Sequence, residues 1–285
     1  MAENSGGSKY DWLIGVLLMF LGSILTNLGN NLMSLGHTQS KENDRRELEL
    51  EKELDNQIVG QDVEKKEPPK TWWFMGTVIF VFGSLIVFLS FGFAAQSLLA
   101  ALESVQFVSN VFFARYIHGE IITKRIIWST VAIVFGNILV VLFSQHTSIR
   151  LTGDQIAYIY LHNSAFHFYL IVSGVVFFIC YYVWLVFSDA RLKRDTYYWK
   201  HSSIEPFTFI LYMSLIGTQA VLHSKNLSML MQHCIQGENQ FATPWKAVIW
   251  GELVIWIFAA YLYVNRINLG LSLYPPVFFI PVQAG

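Results

Sequence analysis

Stretches of roughly 20 mostly apolar residues recur along this 285-residue chain, near 11–36, 71–94, 96–116, 122–145, 165–188, 206–231 and 244–265. As helix, each crosses about 30 Å of hydrocarbon. A segment in lipid must satisfy its own backbone hydrogen bonds, so helices are the default for such runs. Charged residues are only 14% of the chain, against about 25% in soluble domains. The pattern predicts an all-α polytopic membrane protein of seven clear spans. A partial eighth begins at 269, where Pro275, Pro276 and Pro281 interrupt a regular helix.

The connections are uneven. The stretch from Lys41 to Lys70 mixes charges of both signs at helical spacing and reads as a solvated loop, partly helical or disordered. Pro68 and Pro69 close it before Trp72 and Trp73, which are placed as interfacial anchors. The first loop carries seven Lys and Arg; Arg115, Lys124 and Arg125 follow span three, and Arg191, Lys193, Arg194 and Lys200 follow span five. The connections between hold few, which orients the N-terminus outside. Cys180 lies in an apolar run and Cys234 in a polar connection, so no disulfide is expected between them. A net charge of −1 without a concentrated basic patch gives no reason to expect nucleic acid as a partner.

Segments 21–35 and 216–230 align without gaps: Gly22 with Gly217, Ser23 with Thr218, Asn31 with Asn226, Leu32 with Leu227, Leu35 with Leu230. They belong to spans one and six, which cross in opposite directions, and inverted repeats mark transporters with a site at the repeat interface. The expected organisation is an N-terminal tail 1–10, a first repeat 11–145 with the charged loop 37–70, and 146–285 holding span five and an incomplete second repeat.

Polar residues within the spans mark the candidate site. Gly15, Gly22, Gly29 and Gly36 recur every seven residues, as do Gly76, Gly83 and Ser90, and read as ridges for close helix packing. Ser23, Asn27, Asn30, Asn31 and Ser34 make an oxygen-bearing stripe on span one. In span three, Gln96, Glu103, Gln106 and Asn110 fall on one helical face. A carboxylate at membrane depth is costly and usually serves an ion, a proton or a partner charge. One carboxylate among amides suits a hard cation such as Mg²⁺, which keeps much of its water. Glu103 is the candidate metal ligand, with Gln219 on span six added to the path and Lys225 as a possible charge partner. Glu252 and Lys246 form a second candidate pair. Asn226–Ser228 matches a glycosylation sequon inside an apolar run, where it is not expected to be used.

No nucleophile–base, HExxH, CxxC, Walker or dinucleotide pattern appears, so no enzyme and no cofactor are expected. Seven spans also suit a receptor, but the DRY-like and NPxxY-like patterns are absent.

The runs Leu21-Gly-Ser-Ile-Leu-Thr-Asn-Leu-Gly-Asn-Asn-Leu-Met-Ser-Leu-Gly-His37, Ser90 to Asn110, Gly217 to Ser228, and Tyr263 to Ser272 with Phe279 to Gln283 resemble the NIPA magnesium transporters, in order and over nearly the whole chain. The resemblance implies an inverted-repeat bundle of the drug/metabolite transporter type with Mg²⁺ as transported ion. The expected partners are the bilayer and Mg²⁺ or another divalent cation; a homodimer is compatible with this. The chain departs from the family in ending at Gly285, where the family continues, in a long charged loop, and in carrying Glu103 where the family often has a small residue. The alternatives are an organic-solute carrier of that superfamily and a truncated, non-transporting homologue with a regulatory role.

Overall fold

The computed structural model describes residues 10–55, 71–143, 151–192, 204–238, 240–242, 246–274 and 279–280. The helices are α1 (Asp11–Asp55), α2 (Thr71–Ser90), α3 (Gln96–Glu103), α4 (Val105–Ile117), α5 (Lys124–Phe143), α6 (Gly153–His162), α7 (Ser164–Leu192), α8 (Ile204–Ile235) and α9 (Lys246–Leu273), with a 3-10 turn at Gln240–Ala242. Seven helical segments are long and apolar enough to cross a membrane, α3 and α4 together forming one of them. Large apolar side chains such as Phe135, Leu142, Phe178 and Phe258 are exposed, while amides and hydroxyls are buried. That inside-out distribution belongs to a chain whose solvent is hydrocarbon.

α1 is 45 residues long, about 68 Å at 1.5 Å per residue, more than twice the hydrocarbon thickness. Its first half is apolar; beyond Gly36 it is mostly exposed and highly charged, so the predicted charged loop is helical through Asp55. Residues 56–70 lie outside the described residues.

α1 and α2 pack as an antiparallel pair along the two glycine ridges. A Cβ added at Gly29 would meet the Phe80 backbone nitrogen at 2.6 Å, one at Gly76 the Met33 nitrogen at 2.6 Å, and one at Gly83 the Thr26 nitrogen at 2.6 Å. Backbones come this close only where both faces are smooth. The packing role read from the sequence is therefore the one observed.

The third predicted span is not one uninterrupted helix. It breaks at Ser104, whose hydroxyl donates to the Ala101 carbonyl at 2.7 Å and bonds Asn137 Oδ1 on α5 at 2.8 Å. The short α6 lies outside every predicted span. It starts with a capping box, in which Thr152 accepts from the Gln155 N–H and Gln155 Oε1 accepts from the Thr152 N–H. It ends at Asn163, whose Oδ1 then caps α7 through the N–H groups of Ala165 and Phe166 at 3.0 and 3.2 Å.

α7, α8 and α9 close around an aromatic core of Trp184, Phe209, Tyr212, Ile267, Leu271 and Phe279. Phe279 and Ile280 turn back into it; 275–278 and 281–285 lie outside the described residues. α9 reaches Leu273 rather than 265, and Gly270 within this extension admits the Phe279 ring, which would touch any side chain there. At one end of the bundle, Asn268 Oδ1 receives Trp73 Nε1 at 2.7 Å and meets His37 Nε2 at 2.8 Å, tying α9 to α2 and α1. Trp73 is held there by the Asn268 amide oxygen. Both cysteines are free.

Candidate functional site

Two buried polar layers stand out against the apolar surface. The first lies between α1 and α4. Ser23, Asn27, Asn30, Asn31 and Ser34 are each at most 1% exposed, and Gln106 and Asn110 are buried opposite them. Asn27 Nδ2 donates to the Gln106 carbonyl at 2.9 Å and to Ser109 Oγ at 2.6 Å. Asn31 Nδ2 is committed to the carbonyl and Oδ1 of Asn27, at 2.9 and 3.0 Å, and to Asn110 Oδ1 at 3.0 Å. Asn30 Oδ1, Asn31 Oδ1 and Ser23 Oγ are buried with no hydrogen-bond partner. A buried acceptor left without a partner is costly and calls for an explanation.

Glu103 ends α3, one turn before Gln106, whose Nε2 approaches its Oε1 at 3.5 Å. It is half-buried. The break at Ser104 follows it directly, so carboxylate and helix interruption coincide. Gln96 begins α3, and its side chain lies outside the described residues. At the far end of α4, His118 sits against the Asn31 backbone, with Nε2 buried and without a partner. Burial lowers its pKa below the usual imidazole value, and the Asn31 backbone pulls the other way.

The second layer lies where α6, α8 and α9 meet. His223 Nδ1 makes a short hydrogen bond to Glu252 Oε2, and both side chains are buried. Asn226 Nδ2 donates to Glu252 Oε1 at 3.1 Å and to the Tyr160 hydroxyl at 2.7 Å. Glu252 is therefore held by His223 rather than by Lys246, which stands exposed at the start of α9, six positions away and on another face of the helix. Lys225 donates to the carbonyls of Phe91 and Ala94, the latter at 3.0 Å, at the corner joining α2 to α3. Gln219 donates to the Tyr169 hydroxyl on α7 at 2.9 Å. The described hydrogen bonds thus join Asn27, Asn31, Gln106 and Asn110, place Glu103 beside them, and send Gln219 and Lys225 elsewhere. The sequon Asn226–Ser228 is buried.

The dyad was not legible as a pair, since 29 residues separate its members. The usable signal was a second carboxylate, Glu252, in an apolar run together with a histidine on the preceding span. Thr152 and Gln155, at capping-box spacing, would likewise have announced α6 and with it Tyr160.

These features define an all-α multi-pass membrane protein with a polar interior. The chain is 33% identical over 280 residues to "Probable magnesium transporter NIPA8" of Arabidopsis thaliana, an alignment covering 95% of this chain and 59% of that protein. The chain spans about three fifths of the length of the curated relative it matches. No protein-family model matches the chain, and no solved structure matches it.

Proposed function

We propose that the chain carries Mg²⁺, or a related divalent cation, across a membrane along the polar layer between α1 and α4, with its N-terminus on the outer side. The observation that carries this reading is the set of buried oxygens without partners, Asn30 Oδ1, Asn31 Oδ1 and Ser23 Oγ. Mg²⁺ sheds water reluctantly, and a hydrated Mg²⁺ presents O–H donors all round. Asn30 Oδ1 and Asn31 Oδ1 can accept from that shell, while the Asn27 and Asn31 nitrogens are engaged within the protein. Among the described residues, no three His, Cys, Asp or Glu side chains converge on a point, so the lining suits a hydrated ion better than a stripped one. Glu103 supplies one negative charge beside the path. The similarity to a probable magnesium transporter supports the same cargo, and the Lys and Arg bias of the loops supports the orientation.

The test is Mg²⁺ uptake by the purified chain in proteoliposomes. Asn31→Leu, which replaces an acceptor with an apolar branch, is expected to slow uptake roughly tenfold, the equivalent of about 1.4 kcal/mol. Glu103→Gln keeps the shape and is expected to slow uptake in the same direction. Unchanged uptake by Glu103→Gln removes Glu103 from the path, and absence of uptake by the unsubstituted chain removes the proposal.

A further inference from the structure

We infer that His223 and Glu252 form a binding site for one transportable proton, whose release accompanies cation binding. This rests on the transport reading above and adds a coupling ion to it. The segments that align on α1 and α8 divide the labour. Asn226 stands where α1 has Asn31, and His223 stands where α1 has Leu28. The described hydrogen bonds of Asn31 are all to asparagines, whereas Asn226 holds a carboxylate whose other oxygen is bound to an imidazole. The second layer therefore holds an imidazole and a carboxylate where the amide cluster holds only amides.

The site accommodates one proton and resists two. With His223 neutral and Glu252 ionised, the dyad carries −1. One proton on the imidazole brings it to zero, whichever atom of the short hydrogen bond holds it. A second proton would leave an uncompensated positive charge in a buried setting, which is strongly disfavoured. Neighbouring groups do not replace this exchange. Tyr160 on α6 meets the site through its hydroxyl, and His167 on α7 bonds the Tyr160 backbone carbonyl at 2.7 Å. Lys225 on α8 reaches the carbonyls of Phe91 and Ala94, and Lys246 on α9 is exposed.

Access is short. Glu252 follows Lys246 by six residues, about 9 Å of helix rise, and α6 covers this end. α6 is attached there by the Gly153 N–H donating to Gln240 Oε1 at 3.0 Å, by Asn226 Nδ2 donating to the Tyr160 hydroxyl, and by Ile156 packed with Leu230 and Ile249. A cation entering the bundle favours the −1 state of the dyad and so expels the proton. By linkage, the proton weakens cation binding by the same factor.

The experiment measures Mg²⁺ binding to the purified full chain in detergent by calorimetry, in two buffers of different ionisation enthalpy and across pH. The expected result is release of up to one proton per Mg²⁺ bound, with apparent affinity rising up to roughly tenfold per pH unit at the acid end, the limit for competition with a single proton. Glu252→Gln and His223→Gln are expected to bind Mg²⁺ without proton release and without that slope. Binding by the unsubstituted chain with no proton release overturns the inference and leaves the transport reading standing. Release that persists in both variants also overturns it, because the proton then comes from elsewhere, Glu103 being the first candidate. Absence of Mg²⁺ binding and of uptake by the unsubstituted chain removes the transport reading itself. Size-exclusion profiles identify a variant that fails to fold, and the result on the unsubstituted chain decides without it.

Discussion

Asn31 shows how one side chain can set the chemistry of a buried polar layer. Its nitrogen serves three acceptors and its oxygen none, so it shows its buried surroundings an acceptor and no donor. Asparagine alone combines that reach with fixed donor commitments on two helices; a leucine of similar volume would leave the Asn27 and Asn110 oxygens unserved. His118, beside the Asn31 backbone, gives the residue scale a pH dependence. Burial favours its neutral form in the fold, so its folded pKa lies below the ordinary 6.5. Such a group binds more protons when unfolded, and its contribution is present above 6.5 and lost as pH falls through that value. Thermal stability in detergent is expected to decline as pH drops below about 6.5, and His118→Gln is expected to flatten the decline. Glu120, raised by burial, runs the opposite way, contributing most when protonated and less as pH rises. Comparing His118→Gln with His118 in a Glu120→Gln background therefore isolates the histidine. Equal slopes in that comparison would show that His118 does not titrate in this window.

At the scale of elements, glycines of one type do two different jobs. Gly29 lies against the α2 backbone, and a Cβ there would approach the Phe80 nitrogen at 2.6 Å and the Gly76 oxygen at 2.7 Å. Gly174 on α7 has nothing within 4 Å of the same construction. Gly29→Ala is expected to cost about 1–3 kcal/mol through forced separation of the helices. Gly174→Ala should be neutral or stabilising by up to about 1 kcal/mol, the helix-propensity difference. Thermal unfolding of the two variants in one detergent is the comparison, and equal losses would deny the ridge its packing role. The ridge was legible beforehand because a seven-residue glycine spacing has one geometric meaning on a helix. The spans were legible for a similar reason: their length and apolarity have few other readings. The break at Ser104 was not, because a serine in an apolar run is equally at home inside an unbroken helix. Only its bond to Asn137 on another span selects the interruption. The stripes on α1 and α4 were visible as periodicity, but which residues bond one another depends on helix rotation. The same limit sent Gln219 and Lys225 to partners that no spacing could name.

For the whole molecule, the question is what holds its first helical pair to its last. α1 and α2 are joined along their glycine faces, and α8 and α9 close with α7 around aromatic side chains. Between these groups, the polar ties sit near the two ends of the bundle. Lys225 reaches the carbonyls of the α2–α3 corner at one end, and Asn268 engages His37 and Trp73 at the other. In hydrocarbon no hydrophobic force draws helices together, so such ties and close packing must do so. Asn268 is the more informative tie, since its single oxygen meets nitrogens from both α1 and α2. Asn268→Leu keeps the volume, removes that acceptor and leaves the Trp73 N–H and the His37 ring without it. The expected cost is about 1–3 kcal/mol for buried donors left unpaired. The form of the loss matters more than its size. If Asn268 couples the two groups, amide exchange should quicken in α9 and in the facing end of α1 and α2 together, while α5, which packs on α3 and α4, keeps its protection. Protection lost uniformly would instead mark a global destabilisation, and protection lost in α9 alone would show that the tie fastens one helix and does not join the halves.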